Sequence, residues 1–387
     1  MKQKILITIN ALRSGGAERV VSVLLEHLKN DFDIHLAVYT GGANYNIPKE
    51  VTVFDMQQPF EENEMIRLAK IPYLAWKLNR YAKKNNIPVS IAFLNRACYL
   101  NAMMRSLWGY KGKLIMCQRT HLTSILKDTG KLYSALSSFL IKYSFKRADL
   151  ILTNSRSMKE DLEKNFNVRK PMRVIYNPID TDIIQSKSKE ALQANTINHS
   201  FFNFINVGGF RKEKNQTLLV EAMSLLKDLE CKLIFCGDGI FREQVKQQVI
   251  SLQLEDKVIF YDFDSNPFKY ISRSGCLVLS SDLEGFPNVL LEALACGCPV
   301  ISTDCDSGPR ELLAPGTDYN YHVSNNYEEG EYGLLVPVKD PVVLAAAMRR
   351  MLEDETLRNQ YRSKGLTRAQ QFDVDAVILS FREVFLV

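Results

Sequence analysis

Residues 282–297 read DLEGFPNVLLEALACG, with two carboxylates, Glu284 and Glu292, eight positions apart on either side of a Gly-Phe-Pro turn. Eight is not a metal-ligand spacing, and the residues between are mostly apolar, so the chemistry open to the pair depends on the elements around it. CLVLSS (276–281) reads as a buried strand, SDLEGFP as the turn beyond its carboxyl end, and NVLLEALACG as a helix. Pro287 falls near the first turn of that helix and Gly297 is able to stop it. Glu284 then lies in the loop, beside any ligand held at the strand end. Gly285 and Pro287 shape the turn, and the backbone N–H groups from Phe286 to Val289, Asn288 among them, are the unpaired donors of a helix N-terminus. Such donors suit phosphate or sugar hydroxyls. Glu292 lies about one turn in, where an outward carboxylate takes two vicinal hydroxyls of a ribose. The pair thus brackets a nucleotide sugar: Glu284 at the sugar, amides at the diphosphate, Glu292 at the ribose. Taken alone it fits equally well a helix-dipole glutamate followed by an ordinary exposed one.

The elements that must position these groups recur along the chain. KILITI (4–9), IHLAVY (34–39), VSIAFL (89–94), KLIMC (113–117) and LILT (150–153) read as buried strands. So do FNFINVG (202–208), KLIFCG (232–237), KVIFYD (257–262), CLVLSS and PVISTD (299–304). Between them, segments such as AERVVSVLLEHLKN and NQTLLVEAMSLLKDL space their apolar residues as helices do. Strand–helix alternation predicts parallel sheets covered on both faces. Two such series joined near VIYNPID (174–180) predict an α/β chain of two Rossmann-like domains, 1–176 and 177–374, with a cleft between them and ligands beyond the carboxyl ends of the strands. The segment 313–333 lacks apolar periodicity and reads as a surface loop.

A chain of 387 residues, 46% hydrophobic and 24% charged, is globular and too long for one ordinary core. No apolar run reaches the roughly 18 residues a membrane span needs. The start, MKQKILITINALRSGG, reads as a first strand rather than a signal peptide. Eight cysteines without a C-x-x-C pair, mostly in apolar runs, read as reduced core thiols of a cytoplasmic protein. Five histidines without H-E-x-x-H argue against a dedicated zinc site. The net charge of +5 conceals an asymmetry: residues 1–177 carry 28 Lys+Arg against 14 Asp+Glu, and residues 178–387 carry 21 against 30. From Arg67 to Arg173 the ratio is 22 to 5. A half so basic faces something anionic, be it nucleic acid, phospholipid or a phosphorylated substrate.

Glu-x7-Glu in EGFPNVLLE, followed by A-x-G-x-PVI-x-T and SGPREL, resembles the retaining GT-B glycosyltransferases of family 4 (glycosyltransferase group 1). The resemblance extends through VGGFRKEKN (207–215), CGDG (236–239), NPID (177–180) and SGGAERVV (14–21), and so covers nearly the whole chain. It implies the GT-B architecture of two Rossmann-like domains facing across a cleft, the acceptor in the amino half and the donor in the carboxyl half. A last helix, about 375–387, would pack back on the first domain. The family usually holds the donor diphosphate with an arginine just after the glycine of V-G-R and a lysine a few positions on. Here Gly209 stands in the arginine's place, Arg211 follows two residues later, and Lys214 matches the lysine. Those two cations would offset the charge on the leaving diphosphate in place of a metal, so neither metal nor cofactor is expected. Gly15 and Gly16 would let the backbone approach the diphosphate or the sugar without a Cβ in the way, and Gly237 and Asp238 join the donor site. Many family members carry a histidine after the fourth strand of the first domain. The aligned position here is Arg119, with His121 two residues later; both are candidates, His121 fitting an ordinary loop histidine nearly as well. The implied mechanism retains configuration by same-face attack, with Glu284 orienting the sugar rather than attacking it.

The resemblance is to bacterial N-acetylgalactosaminyltransferases that extend lipid-linked oligosaccharides in glycan and surface-polysaccharide assembly. It implies a UDP-sugar donor, a polyprenyl-diphosphate-linked acceptor, and a protein peripheral on the inner face of the cell membrane. MIRLAKIPYLAWKLNRYAKKNN (65–86), read as a helix, mixes Arg67, Lys70, Lys77, Arg80 and Lys84 with Tyr73 and Trp76 opposite an aliphatic stripe, a composition suited to an anionic membrane surface. Asn95 and Arg96 in FLNRACYLNAMM, with Arg119 and Thr120 in CQRTHLTS, stand at strand ends where an acceptor would lie. Two other classes stay open. A GT-B nucleotide-sugar epimerase shares the architecture but needs acid and base groups at the sugar carbon. A basic nucleic-acid or lipid-binding protein without transfer activity accounts for the charge but not the donor motif, and no nucleic-acid module is present.

Overall fold

The computed structural model describes residues 2–386 apart from 14, 43–44, 60–61, 128, 193–196 and 199. Ser14 of SGGAER therefore lies outside the described residues. The first sheet contains β1 (Gln3–Ile9), β2 (Phe32–Val38), β3 (Thr52–Asp55), β4 (Val89–Phe93), β5 (Lys113–Gln118), β6 (Leu150–Thr153) and β7 (Met172–Val174). Their order is β3-β2-β1-β4-β5-β6-β7, all parallel. Neighbouring residues of β1 feed opposite faces: Ile5, Ile7 and Ile9 pack with Val20 and Leu24, whereas Leu6 packs with Leu74 and Leu78. Burial on both faces is why such strands read as continuous apolar runs rather than as alternation.

The second sheet contains β8 (Phe202–Val207), β9 (Cys231–Cys236), β10 (Val258–Tyr261), β11 (Cys276–Leu279), β12 (Val300–Thr303), β13 (Glu328–Glu329) and β14 (Leu334–Val336), in the order β10-β9-β8-β11-β12-β14-β13. It is parallel except for β13, which runs against β14. In each sheet the strand order reverses once, between β1 and β4 and between β8 and β11. At such a switch point the loops leaving two adjacent strands diverge and leave a crevice for a ligand.

The chain divides into residues 1–178 with 374–387, and residues 179–373. The first boundary falls two residues beyond the expected 176, and the tail begins at 374 rather than about 375. The last helix, Val374–Phe385, belongs to the first unit because its apolar face does: Val377, Ile378, Phe381 and Phe385 lie in that core, with the Phe385 ring 5.9 Å from Phe32. Asp180 of NPID caps the helix Thr181–Ser188 by accepting from the Ile183 N–H at 2.8 Å. All eight cysteines are unpaired thiols, buried except for the half-buried Cys296.

The segment 65–86 is two helices, not one. Asn63 caps Glu64–Ala69, and a second helix, Ile71–Lys84, begins after Lys70. Pro72 imposes the break: it has no N–H to give, and its ring crowds the carbonyl four residues back, so it sits only in a first turn. The aliphatic stripe Ile71, Leu74, Ala75, Leu78 and Ala82 is buried, while Tyr73 and Trp76 are exposed with Arg80 over the Trp76 ring. Lys77 departs from the sequence reading. It folds down over Phe54 and donates to the Met56 carbonyl at 3.3 Å. The segment 313–333 is also more ordered than a plain loop, since it contains β13 and contributes side chains to a buried ion network.

Candidate functional site

In the second unit the loops leaving β8 and β11 meet at the switch point. β8 runs through Gly208 and Gly209 into a tight turn, Lys212–Lys214, and Asn215 (φ 45°) redirects the chain into the helix Gln216–Ser224. β11 runs through residues 280–287 into the helix Asn288–Ala295. Across the two loops Lys214 Nζ donates to Glu284 Oε1 at 2.6 Å, and Ser281 Oγ donates to the same oxygen at 2.6 Å. Among the described residues Oε2 of Glu284 accepts no hydrogen bond. The backbones are clamped as well. Ser280 Oγ donates to the Lys214 carbonyl (2.9 Å), the Asp282 N–H to the Glu213 carbonyl (2.8 Å), and Asn215 Nδ2 to Asp282 Oδ1 (2.9 Å). Glu284 is only 9% exposed, so this carboxylate is held in place with one oxygen left to orient a ligand hydroxyl.

The motif residues around this pair form its frame. Ser307 of SGPREL donates to the Gly285 carbonyl at 2.7 Å, and a Cβ on Gly308 (φ +93°) would stand 2.7 Å from that same oxygen. The SGP turn is therefore the floor on which the Gly285 turn rests. Phe286 is buried against Phe372, 5.5 Å between rings, so only its backbone is left for a ligand. Pro287 precedes the helix Asn288–Ala295 without a side-chain cap, its carbonyl accepting from the Leu290 N–H at 3.1 Å, and the positive end of the helix dipole lies at the turn. Val289, Asn288 and Glu292 are half-buried on that helix, which ends at Ala295 with Gly297 at φ +66° beyond it. The CGDG loop packs against the β8 loop so closely that a Cβ on Gly237 would lie 2.1 Å from the Gly208 carbonyl oxygen. Asp238 is exposed, and its carbonyl accepts from the Phe210 N–H at 2.9 Å. Arg211 is exposed at the start of the Lys214 turn, and the Gly209 carbonyl accepts from Gln216 Nε2 at 3.1 Å. Ser281, Asn215 and Ser307 were not read as site residues. Their small polar side chains brace Glu284 and its turn, a role without a spacing signature of its own.

The first unit has a cavity of about 300 Å³ at the carboxyl ends of β4 and β5. Asn95, Arg96, Arg119 and Thr120 all line it, joined by Asn10, Tyr99 and Tyr133, which the sequence did not single out, and by Arg67, which the sequence reading puts on the membrane-facing helix. At its back Leu94 takes φ 73°, ψ 156°, a conformation ordinarily reserved for glycine that costs on the order of 1–3 kcal/mol and persists where packing over-determines it. Arg119 is 6% exposed; burial pushes its guanidinium pKa down to about 10. It donates through Nη2 to Asn177 Oδ1 and lies 5.8 Å above the Phe93 ring. His121 goes elsewhere. Asp161 accepts from the Leu122 and Thr123 N–H groups at 3.0 and 3.2 Å, capping the helix Leu122–Lys127, and His121 turns to Ser124 (2.7 Å) and Asp161 (3.9 Å), off the cavity wall. Of the two candidates after β5, the cavity has Arg119. Gly15 is extended (φ 176°) and Gly16 opens the helix Gly16–Leu28, so neither needs left-handed freedom; at Gly15 space is the constraint, with Glu18 Oε2 2.3 Å from where a Cβ would be. Among the described residues no group of three or more His, Cys, Asp or Glu converges as a metal-binding cluster would.

Comparison with known proteins gives consistent matches. Residues 187–368 match the family Glycosyl transferases group 1, and residues 14–183 match Glycosyltransferase Family 4. The chain is 36% identical over 373 residues, 96% of each chain, to the N-acetylgalactosamine-N,N'-diacetylbacillosaminyl-diphospho-undecaprenol 4-alpha-N-acetylgalactosaminyltransferase of Campylobacter jejuni. It is 24% identical, over 97% of this chain and 96% of the other, to a second Campylobacter jejuni alpha-1,4-N-acetyl-D-galactosaminyltransferase, whose name gives a GalNAc-containing diphospho-undecaprenol saccharide. Among solved structures, sucrose-phosphate synthase from Thermosynechococcus elongatus superposes with a TM-score of 0.83 at 18% identity, covering 99% of this chain and 98% of that one. Anabaena HepE in complex with UDP superposes with a TM-score of 0.76 at 20% identity, covering 99% of each chain.

Proposed function

The chain belongs to the GT-B glycosyltransferases of group 1 and family 4, and we propose that it moves N-acetylgalactosamine from its UDP-sugar to a polyprenyl-diphosphate-linked oligosaccharide, retaining configuration at the anomeric carbon. The observation that carries this reading is the Lys214–Glu284 pair at the β8–β11 switch point, beside the N-terminus of the helix Asn288–Ala295. A cation, a fixed carboxylate and the positive end of a helix dipole are what a diphosphate and an attached sugar need at one place. The similarity to the two Campylobacter transferases supports the sugar and the lipid carrier, and the UDP complex of the Anabaena structure supports the nucleotide.

In this reading Arg211 and Lys214 bind the diphosphate, Glu292 the ribose and Glu284 the hexose. The bond from the anomeric carbon to the diphosphate oxygen breaks, its electron pair leaving with UDP. The acceptor hydroxyl bonds to the same face of that carbon, and its proton passes to a phosphate oxygen. The two cations stabilise the charge that develops on the leaving group, so no divalent metal is required. The test is transfer of label from UDP-N-acetylgalactosamine to a lipid-linked disaccharide with EDTA present. Label in the lipid fraction is expected at the same rate with and without chelator. Transfer from no UDP-N-acetylhexosamine would overturn the assignment, and rescue by Mn²⁺ or Mg²⁺ after loss in EDTA would overturn the metal-free mechanism.

The acceptor's lipid implies work at a membrane surface, for bacterial glycan or surface-polysaccharide assembly on the cytoplasmic face. Among the described residues no helix is long and apolar enough to cross a membrane. Exposed Tyr73 and Trp76, stacked 5.8 Å apart, with exposed Arg80, Lys83 and Lys84 on the same helix supply the interfacial aromatics and charge. Sedimentation with vesicles containing acidic phospholipid is expected, falling as salt rises, and Arg80→Gln, Lys83→Gln and Lys84→Gln together should weaken it at least tenfold. Equal sedimentation with neutral vesicles, or none with either, would return this face to ordinary solvated surface.

A further inference from the structure

We propose that the cavity at the carboxyl ends of β4 and β5 binds the phosphate-bearing end of an isoprenoid carrier, with Arg119 and Arg96 on phosphate oxygens and the adjoining apolar helices on the first isoprene units. The proposal rests on the reading that the acceptor is lipid-linked, and goes beyond it in saying which part of that acceptor this unit grips and with what.

The first observation is an uncompensated buried cation. Arg119 is more than nine-tenths buried, and among the described residues its Nε has no hydrogen-bond partner and its side chain donates to the neutral amide of Asn177 alone. A guanidinium taken out of water without an anion is costly unless a ligand supplies the counter-charge. Arg96 lines the same cavity, its guanidinium 4.9 Å from the Tyr39 ring, and no Asp or Glu is among the lining residues. Guanidinium groups in a lining without a carboxylate, Arg67 being the third, suit a phosphate, which accepts from planar donors at several oxygens. A second orphan, the buried Asn10 Oδ1, gives the same cavity an acceptor for a hydroxyl or acetamido N–H of the sugar next to the phosphate.

The second observation is the apolar share of the lining. Leu122, Leu126, Leu140 and Ile141 belong to it, and two of the helices that line the cavity also carry exposed apolar side chains. On the helix Lys131–Phe145, which lines the cavity through Ser137 and Leu140, Leu136 is 39% and Phe139 64% exposed. On the helix Glu64–Ala69, which lines it through Arg67 and Leu68, Met65 and Ile66 are exposed too. Water-soluble phosphates have no use for that apolar lining, and a neutral lipid has none for the arginines. An amphiphile with an anionic head uses both. A volume near 300 Å³ is at the small end of ligand sites, enough for the head and the beginning of the chain, with the remainder along the exposed helices.

The test is direct binding of farnesyl diphosphate, a monomeric stand-in for the carrier, against inorganic pyrophosphate and farnesol, by titration calorimetry on the full chain. Farnesyl diphosphate is expected to bind at least tenfold tighter than either fragment. Arg119→Gln should weaken it roughly tenfold to hundredfold, the range for losing a charged hydrogen bond. Ser137→Trp, which fills the cavity without touching its charge, should weaken it by a similar factor, and parental thermal unfolding in both variants would show that they fold. Pyrophosphate binding as tightly as farnesyl diphosphate would make this a site for free phosphate, and farnesol binding as tightly would make it a plain apolar pocket; either overturns the proposal. So would parental affinity in Ser137→Trp. Transfer to lipid-linked acceptor with a parental KM in both variants would remove the carrier site and leave the proposed transferase standing. Cavity-dependent binding of farnesyl diphosphate without transfer from any UDP-sugar would do the reverse.

Discussion

Glu284→Gln is expected to lower kcat by about tenfold to hundredfold with little change in donor KM, and Lys214→Met to lower kcat and raise donor KM together. The difference follows from the contacts. Glu284 is held by Lys214 and Ser281 through one oxygen, so its amide analogue keeps the shape of the turn and loses the charged bond to a sugar hydroxyl, worth roughly 1.5–3 kcal/mol. Such a bond changes the rate only so far as it is stronger in the transition state. Lys214 does more: it neutralises a carboxylate that is 9% exposed and, in the proposed reading, also binds the leaving diphosphate, so removing it would strip charge from the transition state and leave Glu284 short of a partner. Because the two groups touch, their effects are not independent. The double variant should fall short of the sum of the single losses by about 0.5–3 kcal/mol in transition-state free energy. Glu292→Ala, one turn into the helix, should raise donor KM and spare kcat. Steady-state rates at saturating and limiting UDP-sugar decide it. Parental kinetics in both glutamate variants would end the assignment of this pair to the donor, and strict additivity would mean that the Lys214–Glu284 bond does not persist in the working enzyme.

The loop that carries Glu284 was legible in the sequence because its surroundings announce themselves locally; its ion pair with Lys214, seventy residues away, was not. CLVLSS is a buried run, GFP marks the turn, and NVLLEALACG has a helix with a glycine beyond it; β11, its loop and the helix Asn288–Ala295 follow. What the sequence did not disclose is what depends on distant segments. β3, β7, β13 and β14 escaped notice: β7, β13 and β14 have only two or three residues, and β3, an edge strand with two exposed residues, has no buried apolar run. Pro72 marked a limit to the helix over 65–86, but the helical spacing on both sides of it gave no sign that two helices meet at Lys70. His121 and Arg119 were indistinguishable by position, and what separates them is Asp161, forty residues on, which draws the one into a helix start and leaves the other on the cavity wall. Asn10, Arg67 and Tyr133 come to that cavity from three further elements, and no pattern along the chain predicts such a convergence. Motif resemblance finds loops that carry chemistry. It says little about which side chains are left without partners once the loops are packed.

The same limit hid the network beneath the 313–333 segment, and the largest stability loss is expected there. Arg310 of SGPREL is 2% exposed; its Nη2 donates to Asp304 Oδ2 at 2.6 Å and to Glu328 Oε2 at 2.8 Å, and its Nη1 to Thr317 Oγ1 at 3.0 Å. Asp304 Oδ2 also accepts from the Val323 N–H at 2.9 Å. Burial works against the charge on Arg310, and its bonds to Glu328 and Asp304 more than offset that, holding its pKa above the usual arginine value. Asp304→Ala therefore leaves a buried guanidinium with half its counter-charge, a loss of about 3–5 kcal/mol by the measure of broken buried pairs. For a unit of this size that corresponds to a fall in Tm of roughly 6–20 °C. Replacing both partners, as in Asp304→Leu with Arg310→Met, should recover most of it, since an apolar pair carries no desolvation cost. Glu163→Gln, on an exposed helical pair with Lys159, should not move Tm. The network also bears on the site, because Ser307 and Gly308 stand directly before the Pro309–Leu313 helix that carries Arg310, and the Gly285 turn rests on them. Donor KM should rise in Asp304→Ala at a temperature where the variant is still folded. Thermal unfolding of the single and double variants, with donor KM measured well below their midpoints, tests both claims. A single variant as stable as the parent would mean that Glu328 alone satisfies Arg310, and a normal donor KM would detach the network from the Glu284 turn.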